Sequence, residues 1–103
     1  MDEFEQIDAD AARSLIKREG VNIVDIRDED SYQESHIMGA VSLSDKNMNA
    51  FLNETDKEKS LICYCYHGMS SQSAAKYFVS QGFKKVYSLI GGFEQWRQGD
   101  DSK

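Results

Sequence analysis

Apolar and polar positions follow two rhythms along this chain. "FEQI" (Phe4 to Ile7) alternates with period two and predicts a short strand. Ala12, Leu15 and Ile16 recur at helical spacing and predict a helix over about Ala9 to Glu19, with Asp8 as N-cap and Gly20 as stop. "VNIVDI" (Val21 to Ile26) is a β-branched run of the kind that forms a buried strand. "RDEDSYQESH" is polar, with room for one or two helical turns around Asp30 to Ser35. "GAVSL" (Gly39 to Leu43) reads as a strand and "DKNMNAFLN" (Asp45 to Asn53) as a short helix with Met48, Phe51 and Leu52 inward. "SLICYC" (Ser60 to Cys65) is a second buried-strand run. "SSQSAAKYFVSQG" then predicts a helix ended by Gly82, with Ala74, Ala75, Tyr77, Phe78 and Gln81 toward the packed side. "KVYSL" (Lys85 to Leu89) is a last strand, and "GGFEQWRQ" a turn entering a final short helix.

Strands alternating with helices over 103 residues predict an α/β fold with a mainly parallel sheet. Ligands of such sheets bind beyond the carboxyl ends of the strands, and Cys65 falls at that end of its strand. The expected organisation is one domain over 1–103, with a core from about 4 to 97 and a flexible tail at 98–103. No repeat or interior linker interrupts it.

Composition narrows the function classes. Eighteen acidic residues against 12 basic give a formal net charge of −6, without the basic excess expected of a nucleic-acid binder. No apolar run is long enough for a bilayer, and the acidic start "MDEFEQIDAD" is unlike a signal peptide. The expectation is a cytoplasmic protein that touches neither membrane nor nucleic acid. Its two cysteines are then expected to be free.

The candidate chemistry lies in "CYCYHGMSS". Gly68 can take a positive φ, and a loop that curls back onto a helix start turns several backbone N–H groups inward. A cysteine on the floor of such a nest has its thiolate stabilised. Ser70 and Ser71 are suited to cap the helix and to add hydroxyl donors. Against this stand plainer readings: core packing, which fits Cys63 well, a Cys63–Cys65 disulfide, and zinc. A bridge between residues two apart on a strand is badly strained. Cys63, Cys65, His67 and His36 are spaced unlike a structural zinc site. Phosphatase chemistry needs a guanidinium in the loop, and none lies between Cys65 and Gln72.

Three stretches together resemble the rhodanese family, in particular its single-domain GlpE-type thiosulfate sulfurtransferases. They are "VDIRDEDSYQESHIMGAVSL" (Val24 to Leu43), "CYHGMSS" (Cys65 to Ser71) and "GFKKVYSLIGGFEQW" (Gly82 to Trp96). The resemblance spans about residues 4 to 97. It implies a rhodanese-like domain, a five-stranded, mostly parallel sheet with helices on both faces. It implies Cys65 as the catalytic cysteine that carries sulfane sulfur as a persulfide. Tyr66, His67, Gly68, Met69 and Ser70 would bind substrate through main-chain N–H groups. The donor would be thiosulfate, weakly held for want of a loop cation, and the acceptor cyanide or a thioredoxin-like dithiol protein. No metal or cofactor is expected. Asp25 and Arg27 are expected to form a structural ion pair, His36 to fix a loop, and His67 to stand at the loop rim. Gly91 and Gly92 should supply a turn near the site, and Trp96 should pack in the core. Two alternatives share these residues: a relay module that receives persulfide sulfur from a partner, and a catalytically idle binding domain.

Overall fold

A computed structural model describes residues 3–100. Its elements run β1 (Glu5–Ile7), α1 (Ala9–Arg18), β2 (Asn22–Asp25), α2 (Glu29–Glu34), β3 (Val41–Ser42), α3 (Met48–Glu54), β4 (Leu61–Tyr64), α4 (Ser70–Ser80), β5 (Val86–Leu89) and α5 (Gly92–Asp100). The five strands form one sheet in the order β1-β5-β4-β2-β3, and every neighbouring pair is parallel. Parallel neighbours place all carboxyl ends on one edge, so β4 delivers Cys65 to the edge where β5 ends.

The apolar run of β4 works because the strand is buried on both faces. Ile62 and Tyr64 point to one cluster, with Ala12 and Leu15 of α1 and Phe93 and Trp96 of α5. Leu61 and Cys63 point to the other, with Leu52 of α3 and Ala75 and Phe78 of α4. Trp96 is thus a core residue, and Arg13 stacks on it with its guanidinium carbon 4.1 Å from the ring centroid.

Several details differ from the sequence reading. Asp8 caps α1 by accepting the Ala11 N–H at 2.8 Å, but Gly20 is not the left-handed stop; α1 ends at Glu19 in extended backbone. Gly82, at φ 102°, does take the left-handed role after α4. On α4, Tyr77 and Gln81 face solvent because the packed stripe is Ser71, Ala75 and Phe78, spaced four and three. Gln98 to Asp100, expected in the tail, belong to α5, and the remainder of that tail lies outside the described residues. Among the described residues no helix is long and apolar enough to cross a membrane.

Candidate active site

The segment after β4 wraps around the sulfur of Cys65. The backbone N–H groups of Gly68 and Ser71 each donate to Cys65 Sγ at 3.2 Å. Gly68 makes this curl with φ 93°, and a Cβ there would stand 2.8 Å from Gly91 N and 3.1 Å from Leu89 O. Only glycine fits both the backbone angle and the space.

The N–H groups can face inward because the carbonyls are held elsewhere. Phe93 N–H donates to Cys65 O at 2.8 Å, and Glu94 N–H donates to Tyr66 O at 3.1 Å. These are first-turn N–H groups of α5, which have no partner inside their own helix. Gln72 Nε2 holds Gly68 O at 2.9 Å. Gly91 and Gly92, at φ 75° and 59°, make the turn that brings α5 here. A Cβ on Gly92 would lie 2.5 Å from Cys65 O and from Tyr66 C.

Burial works to raise the Cys65 thiol, yet hydrogen bonds outweigh it and its pKa falls below the ordinary value. These come from the Ser71 hydroxyl and from the N–H groups of Ser71, Gly68 and His67. Cys63 is the opposite case. Burial, with Cys65 adding to it, pushes its thiol up to about 12. It stays protonated, with Ser71 O and Tyr87 O within reach of its S–H at 3.4 and 3.5 Å. Both cysteines are free.

The side chains of the expected loop residues point away from the sulfur. Tyr66, His67, Met69 and Ser70 are exposed, and Met69 reaches 75% exposure. Ser70 and Ser71 do not cap α4: its N-cap is Met69, without a side-chain bond. The Ser71 hydroxyl is instead paired with Ser88 Oγ at 2.7 Å, both residues fully buried. Ser88 gives no signal in the sequence, because a serine within a strand has no local signature.

Two clusters brace the loop from the α2 side. Asp25 and Arg27 are buried and joined through both carboxylate oxygens, with Arg27 Nη2 to Asp25 Oδ2 at 2.7 Å. Tyr64 Oη donates to Asp25 at 2.7 Å and accepts from Ile37 N–H at 3.1 Å. Burial opposes the Arg27 charge, but the Asp25 bond overcomes it and raises its pKa. Nearer the surface, Tyr66 Oη donates to Asp28 Oδ1 at 2.5 Å and also meets Ser31 Oγ. Asp28 is at once the N-cap of α2, accepting from Ser31 N–H at 3.1 Å. The Tyr66 bond, followed by those of Ser31, lowers its carboxyl from 3.8 to about 2. This latch joins residues 38 apart in sequence, beyond the reach of any motif. His36 closes α2, its Nδ1 bonding Tyr32 O at 2.7 Å with the two rings stacked.

Among the described residues no three His, Cys, Asp or Glu side chains converge as a metal site. The arrangement offers a sulfur nucleophile in a nest of amides, able to hold a negative charge on Sγ or on an atom bonded to it.

Comparison with known proteins shows the family of the chain. Residues 8–99 match the family model of the rhodanese-like domain. The thiosulfate sulfurtransferase GlpE of Coxiella burnetii is 50% identical over 94 residues, covering 91% of this chain and 88% of that protein. The protein of the same name from Pseudomonas fluorescens is 48% identical over 97 residues, covering 94% and 88%. The rhodanese-like domain solved from Anabaena superposes with a TM-score of 0.80 at 26% identity, covering 95% of this chain and 75% of that one.

Proposed function

We propose, from the premise that this chain belongs to the rhodanese-like domain family, that it is a thiosulfate sulfurtransferase working through a persulfide on Cys65. The observation that carries the reading is the Cys65 sulfur, held by two N–H groups at 3.2 Å and lowered in pKa.

The reaction is a double displacement. The Cys65 thiolate attacks the outer sulfur of thiosulfate; the Sγ–S bond forms, and the bond to the sulfonate sulfur breaks. Sulfite leaves with that electron pair, and Cys65 carries the outer sulfur as a persulfide anion. An acceptor then attacks that sulfur, and Sγ departs as thiolate. Cyanide yields thiocyanate in this step, and a thioredoxin-like dithiol protein is the cellular acceptor we propose. The amides of His67, Gly68 and Ser71 hold negative charge on the sulfur at each stage. Tyr66, Met69 and Ser70 complete the loop that presents those amides to the donor. The sulfur atom is itself the carrier, so the cycle balances without cofactor or metal. We assign the protein to the cytoplasm, where its free thiols stay reduced.

The test is thiocyanate production from thiosulfate and cyanide by the wild type, Cys65→Ser and Cys63→Ser. Cys65→Ser is expected to lose turnover and Cys63→Ser to keep it. Full activity in Cys65→Ser would sink the proposal. Mass spectrometry after thiosulfate alone should find one added sulfur on Cys65. An adduct that forms only with a partner desulfurase would turn the reading toward a relay module.

A further inference from the structure

Gly68 is the soft point of the Cys65 loop. Its φ of 93° and the lack of room for a Cβ require glycine, the residue that restrains its own backbone least. The restraint comes from α4 instead, where Gln72 Nε2 donates to Gly68 O at 2.9 Å. In a regular helix start that carbonyl would accept the backbone N–H four residues on, which is that of Gln72. Here the Gln72 N–H goes to Met69 O at 3.2 Å, in the tighter three-residue pattern. The side chain of Gln72 thus makes the bond that its own backbone gives up.

The consequence falls on Met69. Its backbone is close to helical, at φ −90° and ψ −55°, so the peptide before it runs roughly parallel to those of α4. That peptide is trans, so the Met69 N–H points opposite to the pinned Gly68 carbonyl, out of the amino end of the helix. The Ser71 N–H leaves the helix in the same sense and reaches Cys65 Sγ at 3.2 Å. The Gly68 N–H also donates to Sγ, whereas the Met69 N–H has no acceptor among the described residues. It is left for an atom that the free thiol lacks.

We propose that Gln72 is a positioning residue for sulfur transfer: by pinning Gly68 O, it aims the Met69 N–H at the outer sulfur of the Cys65 persulfide. The inference rests on the persulfide reading above. Gln72 itself touches neither donor nor sulfur. The donors divide, with Gly68 and Ser71 serving Sγ in the thiolate and Met69 serving the atom bonded to Sγ. Without the clamp the Gly68–Met69 peptide is free to rotate about the glycine. A turn of that peptide exchanges an N–H donor for a carbonyl oxygen, which repels the persulfide anion and leaves the two donors on Sγ in place.

The test compares the wild type with Gln72→Met, which keeps the length and loses the donor, and Gln72→Glu, which puts a charged acceptor there. Gln72 is half-buried, so neither change opens the core. For Gln72→Met, kcat/KM for thiosulfate is expected to fall about tenfold, the loss of one hydrogen bond to a charged atom, and further for Gln72→Glu. The pH profile of iodoacetamide alkylation of the free Cys65 thiol should stay in place in Gln72→Met. A general loosening of the loop would move both readouts together, and that result, or wild-type kcat/KM in Gln72→Met, would overturn the proposal. The direct arm follows the Met69 amide by NMR in the ¹⁵N-labelled protein before and after thiosulfate, with sulfur loading counted by mass spectrometry. A downfield shift of the Met69 proton on loading is expected in the wild type and its loss in Gln72→Met. Loading without that shift overturns the role of Gln72 alone, whereas a wild type that takes up no sulfur strikes the persulfide reading and this role with it.

Discussion

Ser88 bears on the Cys65 sulfur at one remove, through Ser71. The Ser71 hydroxyl has a single proton, and Ser88 Oγ lies 2.7 Å from it in a fully buried site. For Ser71 to donate to the Cys65 thiolate, it must accept from Ser88. Ser88→Ala is therefore expected to raise the apparent pKa of Cys65, in the same direction as Ser71→Ala. The pH dependence of alkylation by iodoacetamide measures this, and a superimposable profile would refute it. Gly92 sets a harder limit. Alanine there needs φ 59° and brings Cβ to 2.5 Å from Cys65 O. Gly92→Ala is expected to cost about 1–3 kcal/mol of stability, as strained non-glycine backbone does, and most of the activity. Urea unfolding and the thiocyanate assay check both; wild-type behaviour in either would show that α5 shifts freely. Cys65 is legible in the sequence because strand, glycine and helix start surround it within seven residues. Ser88 and Asp28 are not, since their partners lie 17 and 38 residues away.

Helix α2 is six residues long and contributes no fully buried side chain, so little packing holds it. Its N-cap carries that burden, and through Tyr66 the same carboxylate ties the Cys65 loop to the helix. With its folded pKa lowered from 3.8 to about 2, Asp28 contributes stability that is fully present above its ordinary pKa. That stability is lost as pH falls through the folded value. The melting-temperature lead of the wild type over Asp28→Asn should thus be steady above pH ~5 and shrink between pH ~4 and ~2. A lead unchanged at pH ~2 would show that the carboxylate charge plays no part. The sequence places α2 within a residue of its true bounds by its polar start and spacing. The outward turn of Tyr77 and Gln81 on α4 was hidden, because an aromatic at helical spacing reads as core until the neighbouring elements are known.

At the scale of the whole molecule, a net charge of −6 surrounds the amide nest proposed to receive thiosulfate. The nest attracts over a few ångströms, while the excess acidic residues repel at long range. Salt screens the second far more than the first, since the Debye length falls from about 30 Å at 0.01 M to about 8 Å at 0.15 M. The kcat/KM for thiosulfate should therefore rise over that interval of added chloride, whereas a decline would point to attractive steering. The α/β class and five strands in a mainly parallel sheet follow from the periodicities and the alternation of strands with helices. The strand order does not, because it depends on which edges the crossovers reach; β1 pairing with β5 joins the two ends of the chain.

The grip of α5 on the carbonyls of Cys65 and Tyr66 bears on how the protein is made. On the ribosome, Cys65 emerges well before the residues that orient its amides. A nascent chain halted at Ile90 would carry the whole loop and β4, yet lack the turn and first-turn N–H groups that close the nest. The thiol would leave the exit tunnel with ordinary reactivity. The loop would reach its final form only when the last helix docks and holds the Cys65 and Tyr66 carbonyls, so closure of the nest is among the last steps of folding.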